Sequence, residues 1–592
     1  MCDEGYAISQ VQATEAILKS QNITIHSDGT SRDTKKVVSE QISTGGNETL
    51  FLGFTPVATE DASTLLEVTL NSLKRLADSS CEMLALSPDE LLQQIQSRIS
   101  STMSDRASAM KLWGKKLEEH LQEESTSNVK LNFLHCNAHF LLGLSSKCEK
   151  SLLESEAHFK SESDCSLGRD RTDDFFKTDS ESSTSRLIRT ACEVLGPRGD
   201  QKCGRHHDWM TFCPDSNIPS FKSNRFNCFF EAAAALIYHL KTIRLFFSSG
   251  TLDEDNLNKK LKAVAMDVDD DQLMCFVCAV ALFYLKVTGP YWVLVNSDVL
   301  YADFHMYVKM MFSNFQLMSE NPSLFLDRKC LSVFENQFPI TSPMWESVHA
   351  FSNLTDNSAV IENILSNLAK DCIVVTEKQL SDFLPGGKFE NVDDSSRRQI
   401  SHCPLTNLIG ESSFGDFDYD MSKRRGASLH NRSANHVIKR NGTVGYITKK
   451  PEATQSLLFS HAKKMGKQLR KDNRAMEMKV VIDTKQKFAD NQSKKIAKLQ
   501  AALSRHSKAV DSVKDHGGPC GSPEDVDDLV AKLRSAKKSD RHISEVLKSE
   551  IRYQKEMYGQ KLKFGDLKFM VSTLKKCLSP VDEPPLKKSK HN

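Results

Sequence analysis

Short segments rich in β-branched and aromatic residues begin the chain's hydrophobic pattern. They lie at residues 23–28, 36–42 and 50–54, and Gly45-Gly46-Asn47 provides a turn signal between the second and the third. Segments of this length that are bounded by turn residues are typical of β-strands. We therefore predict three strands in an antiparallel meander, the first of which ends at Asp28.

The pattern then changes to a helical period. Apolar residues recur every three or four positions over residues 66–76 and again over residues 110–121. A short strand that ends at Asp105 is predicted between these helices, and a fifth strand is predicted at residues 130–134. The predicted order is three strands, helix, strand, helix and strand, which is an α/β core with helices on the sheet faces.

Composition divides the chain into five segments. The first part of the core spans residues 20–149, and the Ser- and acid-rich residues 150–222 are expected to form a flexible acidic linker. Residues 223–399 predict a helical insertion domain, and residues 400–445 a final core-helix segment. Residues 446–592 predict a charged helical tail that is partly disordered. Heptads are not strictly sustained in the tail, so a coiled coil stays open there.

Bulk properties narrow the class of protein. The 592 residues include 78 Lys and Arg against 77 Asp and Glu, so the global charge does not indicate a nucleic-acid partner. Sixteen scattered cysteines without a signal peptide predict reduced thiols in the cytosol or nucleus. The longest apolar run, residues 273–285, is too short to span a bilayer and predicts a buried helix, with a break at residues 289–292. No membrane partner is expected.

Three acidic residues stand in distinctive local sequences. Asp28 and Asp105 end predicted strands, and Glu411 shares one face of a predicted helix with Leu408 and Gly415. Carboxylates that converge in space can hold two divalent ions about 3.5 to 4 Å apart and cleave a phosphodiester bond. Oxygen ligands of this kind are the ones that Mg²⁺ prefers. The pattern therefore points to a two-metal site.

With the strand order, these residues resemble the RNase H-like fold of cut-and-paste DNA transposases, particularly hAT-like elements and their domesticated relatives. In that family a large helical insertion precedes the last catalytic helix, and here 411 − 105 = 306 positions separate Asp105 from Glu411. The family also carries Cys-x-x-His soon after the second Asp, which Cys136 and His139 match. The resemblance covers residues 20–445 in patches, and the Gly-Glu-Ser-Ser-Phe-Gly-Asp sequence around Glu411 departs from the best-known versions.

The resemblance implies a DDE-type transposase relative. Asp28, Asp105 and Glu411 would bind two Mg²⁺ or Mn²⁺ ions, and water and later a DNA 3′-hydroxyl would attack phosphorus in line. The Cys-x-x-His pair would shape the site, and Trp292 of the insertion would stack on DNA bases near the cleaved end.

Basic residues and the ends of the chain bear on partners and location. The run Lys423-Arg424-Arg425 after the last acid would contact DNA phosphates, although a solvated surface run is the open alternative. The tail at residues 584–590 resembles a nuclear-import signal, so a nuclear or nucleocytoplasmic protein is expected. The expected partners are DNA and, as an open alternative, further copies of the chain.

Other assignments stay open from the sequence. Glu335 and Glu346 are the competing third acids. A looser zinc-type set consists of Cys203, His206, His207 and Cys213. The family's zinc-finger module has no counterpart in the first twenty residues, which predicts a relic or a truncated relative. The alternatives to an enzyme are a catalytically inactive scaffold that binds DNA or protein, and a helical interaction protein without an RNase H-like core.

Overall fold

The computed structural model describes residues 2–32, 35–45, 48–124, 130–175, 180–199, 204–221, 226–250, 257–340, 342–354 and 357–579. The chain divides into two compact units, Met1–Met478 and Lys479–Asn592.

A five-stranded mixed sheet forms the centre of the first unit. Its strands are β1 (Ile23–Arg32), β2 (Lys35–Thr44), β3 (Thr49–Val57), β4 (Ile99–Ser104) and β5 (Asn132–His135). The spatial order is β3-β2-β1-β4-β5, in which β1, β2 and β3 are antiparallel neighbours and β4 and β5 run parallel to β1. This confirms the predicted α/β core and the order of its strands. The predicted end of the first strand at Asp28 was wrong, because pairing with β2 continues to Arg32.

Helices cover the apolar face of this sheet. They include α1 (Cys2–Lys19), α2 (Ala62–Leu84), α3 (Pro88–Gln96) and α4 (Ser108–Glu124), of which α1 and α3 were not predicted. Ile25 and Val38 of the sheet are buried in one core with Leu73 of α2 and with Trp113 and Leu117 of α4. Because successive residues of a strand point to opposite faces, this packing leaves Thr24, His26 and Asp28 on the other face.

The helical region follows β5 and differs from the expected division. Its elements are α5 (His139–Ser163), α6 (Ser183–Leu195), α7 (His206–Phe212), α8 (Cys228–Ser248), α9 (Lys259–Val268), α10 (Asp271–Phe283), α11 (Gly289–Val295), α12 (Phe304–Glu320), α13 (Ser323–Leu326), α14 (Met344–Ser352), α15 (Ser358–Gln379) and α16 (Asp394–Ile400).

Residues 150–222 are not the flexible acidic linker that their composition suggested, wherever the structure describes them. Leu187 of α6 and Trp209 of α7 are fully buried in the core of the helical region. The acidic and hydroxyl residues pair with each other, since Glu156 accepts hydrogen bonds from the backbone N–H groups of Ser183 and Thr184 at the start of α6. The polar composition therefore serves to cap a helix.

The expected break at residues 289–292 is also absent. A π-helical turn, Tyr284–Thr288, joins α10 to α11, and Gly289-Pro290 continues the helix. A π-turn accommodates the missing N–H of Pro290 without ending the helix. Helix Asp271–Val295 is long and apolar enough to cross a membrane, but 94% of its most apolar window is buried inside the protein, so this is only weak evidence of a membrane span.

Seven helices follow α16 in the described chain, and the first four of them begin in the first unit. These are α17 (Leu408–Lys423), α18 (Leu429–Arg440), α19 (Thr443–Thr448) and the long α20 (Glu452–Lys514). The second unit contains the end of α20 with α21 (Pro523–Ser535), α22 (Asp540–Tyr558) and α23 (Leu567–Leu578), which share a small apolar core around Val546 and Leu574. The import-like residues 584–590 lie outside the described residues.

Candidate acidic site on the polar face of the sheet

The register of β1 and β4 places two of the predicted acids beside each other. The two strands are parallel, and His26 of β1 pairs with Met103 of β4. Continuing that register by two residues brings Asp28 level with Asp105, which directly follows β4. Neighbouring strands lie about 4.8 Å apart, and residues at the same register point to the same face. The sheet therefore presents both carboxylates on its polar side.

Glu411 belongs to the first turn of α17 and lies near enough for its charge to act on Asp28. The residue before it, Gly410, approaches β2 so closely that a Cβ atom there would lie 2.9 Å from Nε2 of Gln41 and 3.1 Å from Nδ2 of Asn407. Farther along the helix, Phe417 packs against Phe54 of β3 with ring centroids 4.7 Å apart. Close backbone approach and aromatic packing thus fix the helix that carries the third acid.

The environment of Asp28 disfavours its charged form. Burial raises the pKa of Asp28 well above its ordinary value of 3.8, and the charges of Glu411 and Asp105 raise it further. The backbone N–H of Gly29 donates a hydrogen bond of 2.8 Å to Asp28 Oδ1 and acts in the opposite direction. Within the described chain, no Lys or Arg forms an ion pair with Asp28. Asp28 thus lies near other negative charges without a Lys or Arg partner in the described chain.

The turn after β5 locks the segment before α17 in place. The N–H of Asn407 donates to Sγ of Cys136 at 3.2 Å. The N–H and the side-chain amide of Asn137 both donate to the carbonyl of Leu405, at 3.1 and 3.0 Å. Burial raises the pKa of the Cys136 thiol to about 12. Cys136 is therefore a protonated hydrogen-bond acceptor inside the fold, in keeping with a shaping role.

His139 stands at the start of α5 and faces the acids. Its Nε2 lies 3.9 Å from Oε1 of Glu411. The edge of its ring meets Phe226 at 5.3 Å, and Phe226 in turn stacks on Trp292 at 6.0 Å with planes 27° apart. A continuous row of side chains therefore leads from Glu411 to the partly exposed indole of Trp292.

The predicted basic run lies apart from the acids. Lys423, Arg424 and Arg425 are at the opposite end of α17, twelve to fourteen residues beyond Glu411, which corresponds to roughly 18 Å or more along the helix. Arg424 Nε is already paired with Asp420 at 2.5 Å. The run is not part of the acidic site itself.

The competing assignments do not meet the acids. Glu346 forms an exposed ion pair of 3.0 Å with Arg328, and neither it nor Glu335 contributes to the charge around Asp28. In the zinc-type set, Cys213 contacts His239 at 3.7 Å, and His206 is hydrogen-bonded to the carbonyl of Leu195. Its fourth member, Cys203, lies outside the described residues.

Sequence reasoning missed a buried polar layer beneath the acids. His26 is hydrogen-bonded to Ser43 at 2.8 Å, and Thr24 is hydrogen-bonded to His402 at 3.0 Å. Burial lowers the pKa of both imidazoles to about 4, so both are neutral at physiological pH. The sequence of β1 contained the signal for this layer. Thr24, His26 and Asp28 alternate there with the apolar Ile23 and Ile25, which places the three polar side chains on one face of the strand.

The donor chemistry of the three acids fits hard divalent cations. All three supply carboxylate oxygens, which suit Mg²⁺ and Mn²⁺ better than they suit zinc. Among the residues that the structure describes, no three His, Cys, Asp or Glu side chains lie close enough together to ligate one ion. Mutual repulsion between like charges is expected to hold carboxylates apart until a cation neutralises them.

Comparison with known proteins adds no relative. No protein-family model matches this chain, and no curated protein sequence matches it. The interpretation of the site therefore depends on its own residues.

Proposed function

We propose that this chain is a transposon-derived relative of the DDE-type, hAT-like transposases, with an RNase H-like core that performs two-metal chemistry on DNA phosphodiesters. The observation that supports the proposal most strongly is the parallel register of β1 and β4, which sets Asp28 level with Asp105, together with the close approach of the start of α17, which carries Glu411, to β2. Residues from three distant parts of the chain would not share one uncompensated site for structural reasons alone, because like charges destabilise the fold.

Asp28, Asp105 and Glu411 would hold two Mg²⁺ or Mn²⁺ ions. Bound ions would activate the attacking oxygen and stabilise the charge that develops on the phosphate and on the leaving oxygen. The protein's contribution is positional: the sheet sets the separation of the two aspartates, and Gly410 sets the approach of Glu411. His139 Nε2, 3.9 Å from Oε1 of Glu411, would orient that carboxylate.

The proposed DNA contacts follow the same geometry. Trp292, joined to the acids through Phe226 and His139, offers a face on which an unpaired base near the cleaved bond would stack. The basic run at the far end of α17 would contact phosphates farther along the duplex. From the import-like sequence at residues 584–590 we propose a nuclear or nucleocytoplasmic location.

A catalytically inactive scaffold is the second candidate. It is favoured by the lack of a closed three-residue ligand set among the described side chains and by the occupation of Arg424 by Asp420. In that case the core would serve to display DNA- or protein-binding surfaces while the acids remained as a relic.

Nicking of supercoiled plasmid DNA in Mg²⁺ or Mn²⁺ distinguishes the two. We expect the Asp28→Asn and Glu411→Gln variants to lose at least about 100-fold in nicking rate, since each removes charge at the reacting centre. The matched control is Glu346→Gln, an exposed acid of the helical region that should retain full activity. Equal rates in all three variants, or metal-independent nicking, would contradict the proposal, and a protein that binds DNA without nicking it would support the scaffold.

A further inference from the structure

A stripe of exposed apolar side chains runs along α20 in the second unit. Its large members have between 48% and 72% of their surface exposed, although each is apolar. They are Val481, Ile482, Phe488, Ile496, Leu499 and Leu503. A contiguous apolar surface of this kind on a helix marks an interaction site rather than a solvated face.

Four members of the stripe, Ile482, Ile496, Leu499 and Leu503, fall on the alternating three- and four-residue spacing of a coiled-coil seam. The other two, Val481 and Phe488, flank that seam, one position before Ile482 and Ala489. From Ile482 onward the seam consists of Ile482, Lys485, Ala489, Gln492, Ile496, Leu499, Leu503, His506, Val510 and Val513. The seam is buried at its far end, where Val513 is 1% exposed, and is open over residues 482–503. That open part is roughly 33 Å long at 1.5 Å per residue.

We propose that the open seam pairs with the same seam of a second copy of the chain, in an antiparallel two-stranded coiled coil. In this register Ile482 faces Leu499 of the second copy and the reverse, and Ala489 faces Gln492. Lys485 then packs its aliphatic stem beside Ile496. The large apolar pair Ile482 and Leu499 closes both ends of this register, and every contact is repeated by the two-fold symmetry.

A parallel pair would be less favourable for a specific reason. It would place each Lys485 directly against its own copy and each Gln492 against its own copy, in the seam where charge is least tolerated. The antiparallel register removes the like-charge contact. Most of the other cations of this stretch, such as Lys487, Lys494 and Lys498, occupy the outer face of the helix by the heptad spacing and stay in water.

The size of the surface is sufficient for a stable pair. Six half-exposed apolar side chains at roughly 100 Å² each give on the order of 600 Å² per copy. Two copies would therefore bury about 1,200 Å², which reaches the range of stable, specific interfaces. This inference does not depend on the proposed chemistry of the first unit, because the seam from residue 482 onward belongs to the second unit.

Sedimentation velocity on the full-length protein tests the proposal. At about 10 µM we expect a species of twice the 66.5 kDa chain mass. Ile482→Glu should weaken self-association at least tenfold, because it places a charge against Leu499 of the second copy. The matched control Ala501→Lys lies on the outer face of the same helix and should leave the association unchanged.

The double variant Ile482→Glu with Leu499→Lys decides the orientation. Antiparallel pairing brings each new Glu against a new Lys and should restore the dimer, whereas parallel pairing would oppose like charges and should not. Circular dichroism checks that each helix remains folded, which is expected because both positions are exposed. A native chain that sediments as a monomer, a dimer indifferent to Ile482→Glu, or a double variant that fails to recover would each overturn the proposal.

Discussion

The close approach of α17 to the sheet makes Gly410→Ala a direct probe of how the third acid is placed. Alanine favours a helix over glycine by about 1 kcal/mol. The new Cβ, however, would lie 2.9 Å from Gln41 Nε2 and 3.1 Å from Asn407 Nδ2, which is closer than Cβ contacts normally are. Both atoms are at the ends of side chains, but Gln41 is 1% and Asn407 4% exposed, so neither has room to move aside freely. Overpacking of this kind costs about 1 to 3 kcal/mol. We therefore expect a net change between about zero and a loss of 2 kcal/mol.

Gly415→Ala is the matched control in the same helix. Its Cβ would meet nothing within 4 Å, so only the gain in helix propensity remains and the variant should be about 1 kcal/mol more stable than the native chain. The informative quantity is the difference between the two variants, about 1 to 3 kcal/mol in favour of Gly415→Ala. Both changes have the same composition and the same effect on the unfolded chain, so that difference isolates the contact with β2.

Urea unfolding followed by tryptophan fluorescence measures this difference. The four tryptophans, Trp113, Trp209, Trp292 and Trp345, all belong to the first unit, so the signal reports the unit that contains the site. Equal stabilities of the two variants would refute the reasoning, because they would show that α17 does not press on Gln41. If Gly410→Ala is the less stable but plasmid nicking is unaffected, the placement of Glu411 tolerates a shift of the helix.

Two further predictions concern pH. Because the pKa of Asp28 is raised in the folded state, the free energy of unfolding of the native chain should fall as pH rises above about 3.8. The Asp28→Asn variant should therefore be the more stable protein at neutral pH. Urea unfolding from pH 4 to 8 measures this, and a variant that is no more stable than the native chain would disprove the repulsion. Lys286 is fully buried, and desolvation lowers its pKa from 10.5 to about 8. The free energy of unfolding of the native chain should therefore rise by up to about 3 kcal/mol between pH 8 and pH 10.5, because folding then no longer buries a charged ammonium group. The Lys286→Met variant should not show this rise. Parallel profiles of unfolding free energy against pH for the two proteins would contradict the prediction.

Local pattern was enough to predict the sheet, because its signal is local. Ile23 and Ile25 alternate with polar residues, and strand register follows once an apolar face has to be buried. The neighbouring positions of Asp28 in β1 and Asp105 directly after β4 follow from that alternation and from the parallel pairing of the two strands. Helix α1 was not predicted because its buried side includes polar residues such as Gln10 and Thr14, which interrupt the helical spacing of apolar residues.

Composition misled where polar residues satisfy each other. The serines and acids of residues 150–222 have the statistics of a solvated segment, yet Glu149 and Glu156 are the hydrogen-bond partners of Ser182, Ser183 and Thr184 at the start of α6. Such pairing is a property of tertiary structure, since the partners are about thirty positions apart. Tertiary structure also explains why Pro290 does not end its helix, since a π-turn within a buried helix accommodates it.

The acidic site shows why the third acid could not be placed by pattern alone. Glu411 lies 306 positions beyond Asp105, and its approach depends on a glycine that allows the helix to contact Gln41 of β2. Packing so close brings a third negative charge toward a partly buried Asp28 that already lacks a cationic partner in the described chain. A fold selected for stability alone would relieve this repulsion with a single Lys or Arg. The cost is offset only when divalent cations bind between the carboxylates, so added Mg²⁺ or Mn²⁺ should stabilise the native first unit and leave Asp28→Asn little changed.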